Sequence, residues 1–138
     1  MKLSRESQYA LLALVELARR PPDTYFNVSA IASSARLPGP FLAKTFVKLT
    51  RGGIVSSSRG KERGYRLGRP PEDISVKEVI EAIEGDDIFK RCVFWSNGCS
   101  EISPCPLHDE WRKLRPQVAE SFGDLSLASL SAAPGRHA

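Results

Sequence analysis

Two absences shape this sequence. Cysteine is missing everywhere except one stretch: the three present, Cys92, Cys99 and Cys105, are confined to residues 92–105. An odd count without paired spacing excludes a closed disulfide framework. Carboxylates are nearly missing from residues 36–69, where Arg36, Lys44, Lys48, Arg51, Arg59, Lys61, Arg63, Arg66 and Arg69 face Glu62 alone. A neutral surface is thereby excluded, and a polyanion partner is indicated; taken alone, the charge fits a merely solvated basic face equally well. Long apolar runs are also lacking, and none approaches the roughly 20 residues that span a bilayer. The opening Met1-Lys-Leu-Ser-Arg-Glu-Ser7 is polar and leads into an amphipathic pattern. It does not read as a signal peptide, so a cytoplasmic location with reduced thiols is expected. No nucleophile–base constellation, phosphate-binding glycine loop or convincing carboxylate pair is present, so catalysis is not expected.

What remains is a chain of 138 residues, 41% hydrophobic and 26% charged, enough for one domain with a real core or a small domain with an appendage. Ser4 is a candidate N-cap for a helix to about Arg20, apolar nearly all round and closed by Pro21-Pro22. A short helix fits Val28–Ala35, capped by Asn27 or Ser29. After the turn Arg36-Leu-Pro-Gly-Pro40, a third helix fits Phe41–Arg51, with Pro40 at its first position and Gly52-Gly53 at its stop. Leu42, Phe46 and Leu49 lie at core spacing, whereas Lys44, Lys48 and Arg51 fall largely outside that stripe. Ile54–Ser58 and Tyr65–Leu67 read as two strands around a loop holding two glycines and the cations Arg59, Lys61 and Arg63.

Helix, helix, turn, helix and basic hairpin make a winged helix-turn-helix. Its third helix suits a DNA major groove, and its hairpin suits phosphates or the minor groove. The basic block coincides with these two elements, which favours DNA over a fold used for protein contacts alone. Pro40, Lys44, Lys48, Arg51, Arg59, Lys61 and Arg63 are the candidate DNA-binding residues. Beyond Arg69 the balance turns acidic, with seven acids against two lysines from Glu72 to Lys90. Ser75-x-x-Glu78 is a capping box for a helix striped by Val76, Val79, Ile80 and Ile83, and Gly85 closes it. That helix is expected to rest on the winged domain with its acids towards solvent.

From Asp109 to about Leu130 a further helix is expected, with Pro116 kinking or restarting it. Trp111, Leu114, Val118, Phe122 and Leu125 form a narrow heptad-type seam. The same helix of a second copy is the favoured cover, giving a homodimer suited to palindromic double-stranded DNA; folding back on its own domain is the competing arrangement. Residues 131–138 read as a disordered tail, with His137 incidental. The expected organisation is a DNA-binding domain over 1–85, a cysteine loop over 86–108, a dimerisation helix over 109–130 and the tail. The fold class is thus mainly α with one small β-hairpin.

In the loop, six residues separate Cys92 from Cys99, five separate Cys99 from Cys105, and His108 follows after two more. Thiolates bind zinc or iron–sulfur clusters. Zinc sites favour pairs two to four residues apart, so these wider gaps suit a larger object. Cys105 precedes Pro106 at an expected helix start, where the helix N-terminus would lower a thiol pKa, and His108 would share its face. Cys92, Cys99, Cys105 and His108 supply the four ligands of a two-iron cluster. Zinc remains secondary, and His108 alone reads equally as a solvated first-turn residue.

The opening Met1-Lys-Leu-Ser with Tyr9-Ala10, the segment Phe41-Leu42…Phe46…Leu49…Gly53-Ile54-Val55, the wing Ser58-Arg59-Gly60…Gly64-Tyr65-Arg66-Leu67 and the ending Cys105-Pro-Leu-His108 carry a resemblance. Together they resemble the Rrf-two superfamily of bacterial winged-helix regulators, with its IscR, NsrR and RirA types. The resemblance spans nearly the whole chain. It implies a homodimeric repressor or activator whose iron–sulfur cluster reports iron supply, cluster demand, nitric oxide or redox state. A histidine three places after the last cysteine is similar to the IscR type, which implies a 2Fe-2S cluster, with 4Fe-4S as the alternative. NsrR-type relatives use an aspartate of the first helix from the other subunit; the matching position is Gln8, with Glu6 nearby. The first cysteine gap departs from the commonest spacing. Arg59 matches the family's wing arginine, but Ala43 stands where some IscR-type relatives carry a carboxylate. Two other classes fit less well: a zinc-binding or metal-free winged-helix regulator acting through protein partners, and a small iron–sulfur redox protein.

Overall fold

A computed structural model describes residues 2–61, 63–92, 101–102 and 104–132. Helix α1 (Arg5–Ala18) starts where the Ser4 hydroxyl accepts from the Ser7 N–H at 3.2 Å. Such a cap satisfies one of four orphan donors and contributes about 1 kcal/mol. Asn27 does the same for α2 (Val28–Ala35), accepting from Ala30 N–H at 2.8 Å. The turn that follows is closed by Leu37 N–H donating to the Ala32 carbonyl at 2.8 Å, around an Arg36 held left-handed at φ 58°. Glycine usually fills that position.

Helix α3 (Gly39–Arg51) begins two residues before the expected start, which makes Pro40 its second residue. Neither position carries a cost, because the first N–H groups of a helix have no partner to lose. Leu42, Phe46 and Leu49 are buried as their spacing requires, joined by Thr45. Strands β1 (Val55–Ser58) and β2 (Gly64–Leu67) then pair antiparallel, from Val55 opposite Leu67 to Ser58 opposite Gly64.

Phe26 adds to the other edge of β2, exchanging hydrogen bonds of 2.9 and 2.8 Å with Tyr65. The Tyr65 ring stacks on Phe46 of α3 at 4.8 Å between centroids. Stacking of this kind contributes about 0.5–1.5 kcal/mol beyond burial and joins wing to helix. Gly64, at φ +143°, sits so close to Phe26 that a β-carbon would run into its carbonyl.

Helix α4 (Val76–Glu84) carries the complete capping box between Ser75 and Glu78. The expectation that its acids face solvent fails at Glu84, whose side chain is only 10% exposed. Its Oε1 accepts from the Ser4 N–H at 3.0 Å, from the Ser7 hydroxyl at 2.7 Å and from the Ser4 hydroxyl. Burial pushes this carboxyl up. The bonds from Ser4 and Ser7, with the charge of Arg91, outweigh it and hold the group below the ordinary carboxylate range.

The expected single helix over 109–130 is two helices, α5 (His108–Asp124) and α6 (Leu127–Ala132). It breaks at Leu125 rather than at Pro116, which lies inside α5. A backbone bridge causes the break: Val76 N–H donates to Leu125 O at 2.8 Å and Leu127 N–H to Ile74 O at 2.9 Å. These bonds claim groups that a continuing helix would use. Leu127 is thereby buried in the main core with Leu14, Ile31, Leu42, Phe46 and Leu49. A second cluster gathers Val76, Ile80, Ile88 and Phe89. Of the expected tail over 131–138, Ser131 and Ala132 belong to α6, and residues 133–138, with His137, lie outside the described residues.

Gly64→Ala should lower stability by roughly 1–3 kcal/mol, because the strained backbone and the Phe26 contact act together; thermal unfolding followed by circular dichroism measures it. Glu84→Ala should cost roughly 1–3 kcal/mol at neutral pH, since it orphans the Ser4 and Ser7 donors. A depressed folded-state pKa gives stability that is full above the ordinary carboxylate range and lost as pH falls through and below it. Urea titrations should therefore show wild type and variant converging in acid.

Candidate nucleic-acid interface and metal centre

The outward line of α3 follows directly from its inward one. With Leu42, Thr45, Phe46 and Leu49 buried, Pro40, Lys44, Val47 and Arg51 fall together on the opposite side, and all four are exposed. Val47, 46% exposed, is the member that a search for charge misses; its signal is its spacing from Pro40 and Lys44. An exposed apolar side chain there can meet a thymine methyl group, as lysine and arginine meet guanine or phosphate. At the wing, Arg59, Lys61 and Arg63 are exposed in the loop between β1 and β2.

Three cations of the basic block are engaged within the chain. Lys48 Nζ lies 2.9 Å from Glu6 Oε2 on α1. Arg69 pairs with Glu78 at 2.9 Å and also donates to the Asp73 carbonyl. Arg66 stacks on Tyr25 at 4.7 Å from the ring centroid. In contrast, Lys44, Arg51, Arg59, Lys61 and Arg63 make no ion pair with any described acid. With Arg36, which is exposed and likewise pairs with no described acid, these five make up the unpaired positive charge of the block. The Lys48–Glu6 pair is part-exposed and worth at most about 1 kcal/mol, so it is weak enough to open.

Cys92 and Cys105 come together from opposite ends of the cysteine stretch. Both are buried, and their sulfurs stand 3.4 Å apart. His108 is buried as well, at 8% exposure, and its backbone N–H donates to the Cys105 carbonyl at 3.0 Å. Helix α5 begins at His108 with Leu107 as its cap, so Cys105 lies just upstream of the helix rather than on its first turn. Pro104 and Pro106, flanking it, keep that segment out of the helix. Cys99 lies outside the described residues. Among the described residues, no three His, Cys, Asp or Glu side chains meet with metal-binding spacing.

Arg91, next to Cys92, is held from three directions. Its guanidinium donates to the Glu84 carbonyl at 2.6 Å and to Asp87 at 2.8 Å, while its own carbonyl accepts from Trp111 Nε1 at 2.7 Å. The hydrogen bond from Arg91 holds Asp87 below the ordinary carboxylate range. Of the expected seam, Trp111 thus turns to its own chain. Val118 and Phe122 pack on the second cluster, with the Phe122 ring 6.1 Å from Phe89. Leu114 and Leu125 remain exposed, at 47% and 38%. Gln8 is exposed, and Glu6 faces α3 rather than the cysteines.

The family model described as "Iron-dependent Transcriptional regulator" matches residues 3–133 of this chain. The chain belongs to the Rrf2 family. Rrf2 proteins are transcriptional regulators with DNA-binding winged helices and are not enzymes, in keeping with the fold seen here. The HTH-type transcriptional regulator IscR of Aliivibrio salmonicida is 30% identical over 130 residues, covering 94% of this chain and 77% of that relative. Among solved structures, T. potens IscR superposes with a TM-score of 0.73 at 25% identity, over 94% of this chain and 85% of its own. CymR, the global cysteine regulator of B. subtilis, gives a TM-score of 0.80 at 24% identity, over 98% and 99% of the two chains. It shares the fold. Among the described residues, no helix is long and apolar enough to cross a membrane.

Arg59→Ala in the full chain should flatten the salt dependence of binding to a duplex selected from a random pool, by close to one phosphate contact per bound subunit. Fluorescence anisotropy over a salt series measures that slope.

Proposed function

We propose that this Rrf2 regulator acts in the cytoplasm as a homodimer on palindromic DNA, reporting iron, redox state or nitric oxide through an iron–sulfur cluster. Cys92, Cys99, Cys105 and His108 would hold the cluster. The observation that supports this most is the approach of two buried thiols to 3.4 Å across the cysteine stretch. Two thiolates on one tetrahedral ion at about 2.3 Å stand about 3.8 Å apart, so the pair already has the right order of separation. The donor set of soft sulfur and imidazole suits iron in a cluster, and a 2Fe-2S form with His108 is the favoured version.

When bound, the cluster supplies a redox-active and nitric-oxide-reactive group. The chain's own residues supply the coupling. Cys92 follows Arg91, which grips the C-terminal end of α4 and accepts from Trp111 of α5. The Glu84 at that end of α4 holds the start of α1, and α1 carries Glu6 against α3. A change in how Cys92 and Cys105 are held would thus bear on α5 and on the start of α1 together. In a dimer joined through the exposed Leu114 and Leu125, it would alter the spacing of the two α3 helices, and with it the population able to bind DNA.

Anaerobically purified wild type should show a visible chromophore, with iron and acid-labile sulfide in equal amounts. Cys99→Ala should lose them while keeping its far-ultraviolet dichroism. Zinc without sulfide, or a full chromophore in the Cys99 variant, would refute the assignment.

A further inference from the structure

The pairing of Glu6 with Lys48 places a carboxylate beside the one helix of the chain that is shaped to enter DNA. Glu6 stands in the first turn of α1 and reaches α3 with both oxygens. Oε2 takes Lys48 at 2.9 Å, and Oε1 accepts from the fully buried Thr45 hydroxyl at 3.2 Å. The Thr45 proton is shared with the Phe41 carbonyl at 3.3 Å, so this second bond supports the Lys48 contact that holds the carboxylate on α3. Glu6 lies in a surface groove of about 580 Å³ with Pro38, Pro40, Phe41, Lys44 and Lys48. The groove therefore holds two lysines and one acid, at the N-terminal half of the recognition helix.

We infer that Glu6 is a positioning residue that holds Lys48 and withholds its charge from DNA phosphates, which lowers affinity for DNA of any sequence. A phosphate arriving at Lys48 must displace a carboxylate already 2.9 Å from the ammonium. Phosphate contacts are alike at every sequence, so this competition weakens binding to all DNA. Contacts made by the outward line of α3 to base edges are unaffected, and they exist only at a matching site. The result is weaker binding to every duplex and a shallower salt dependence, with the ratio of specific to random binding left as it is. The sequence block of nine cations against one acid overstates the charge that DNA meets, because the neutralising acid comes from α1.

This inference rests on DNA binding by the winged domain, and the test separates the two. The full chain, Glu6→Gln, Lys48→Gln and the double variant are titrated into a random-sequence duplex and into a duplex selected by the wild type, over a salt series. Glutamine keeps an acceptor for Thr45, and thermal unfolding checks that each variant is folded. Glu6→Gln should bind both duplexes roughly threefold to tenfold tighter and steepen both salt slopes by about one contact per subunit, leaving the ratio between the duplexes unchanged. Adding Lys48→Gln should return the slope to that of the wild type, and the same change in the wild-type background should lower it by less than half as much. An unchanged slope in Glu6→Gln, or a steep slope kept by the double variant, would overturn the inference while leaving DNA binding intact. Failure of the wild type to bind either duplex would overturn both.

Discussion

A single carboxylate ties this fold together. Glu84 ends α4, yet its Oε1 reaches back across the chain to the N–H and hydroxyl of the cap residue Ser4 and to the Ser7 hydroxyl at the start of α1. The same residue offers its backbone carbonyl to Arg91, one position before the first cysteine. The cost of burying a charge is met by several donors at once, the condition under which a buried carboxylate stabilises rather than strains a fold. Three parts that are distant in sequence meet at this residue: the start of the chain, the acidic helix and the entry to the cysteine stretch.

Around that tie the protein divides its charges by use. Arg69 and Arg91 hold elements in place through Glu78 and Glu84, and Lys48 is matched by Glu6. Lys44 and Arg51 on α3, and the wing cations, face solvent. Residues that look equivalent by composition therefore serve two ends, and only the location of the partner acids tells them apart. For a DNA-binding protein the distinction sets the salt dependence of binding, since a cation already paired releases no counterion.

Much of the fold was legible in the sequence because its signals are local. Ser4, Asn27 and the Ser75–Glu78 box cap helices from within a few residues, and the core spacing of Leu42, Phe46 and Leu49 is a property of one helix. The departures come from contacts between distant segments. The helix expected to run to Leu130 stops because Ile74 and Val76 take backbone groups from its path, a bridge that no periodicity announces. The seam of Trp111, Val118 and Phe122 has the right spacing for a second copy, but Phe89 and Arg91 cover it. For the site, the cysteines and the wing arginine carry motifs, whereas Glu6 and Val47 acquire meaning only from what stands beside them.

The stack of Tyr65 on Phe46 has a mechanical meaning. With the wing bonded to Phe26 on one side and pressed on α3 by that stack, helix and wing form one stiff jaw. A stiff jaw cannot adapt its grip to each groove it meets. In the dimer proposed above, the adjustable quantity would be the gap between two such jaws, so control over DNA would be exerted as a caliper is, by setting a distance.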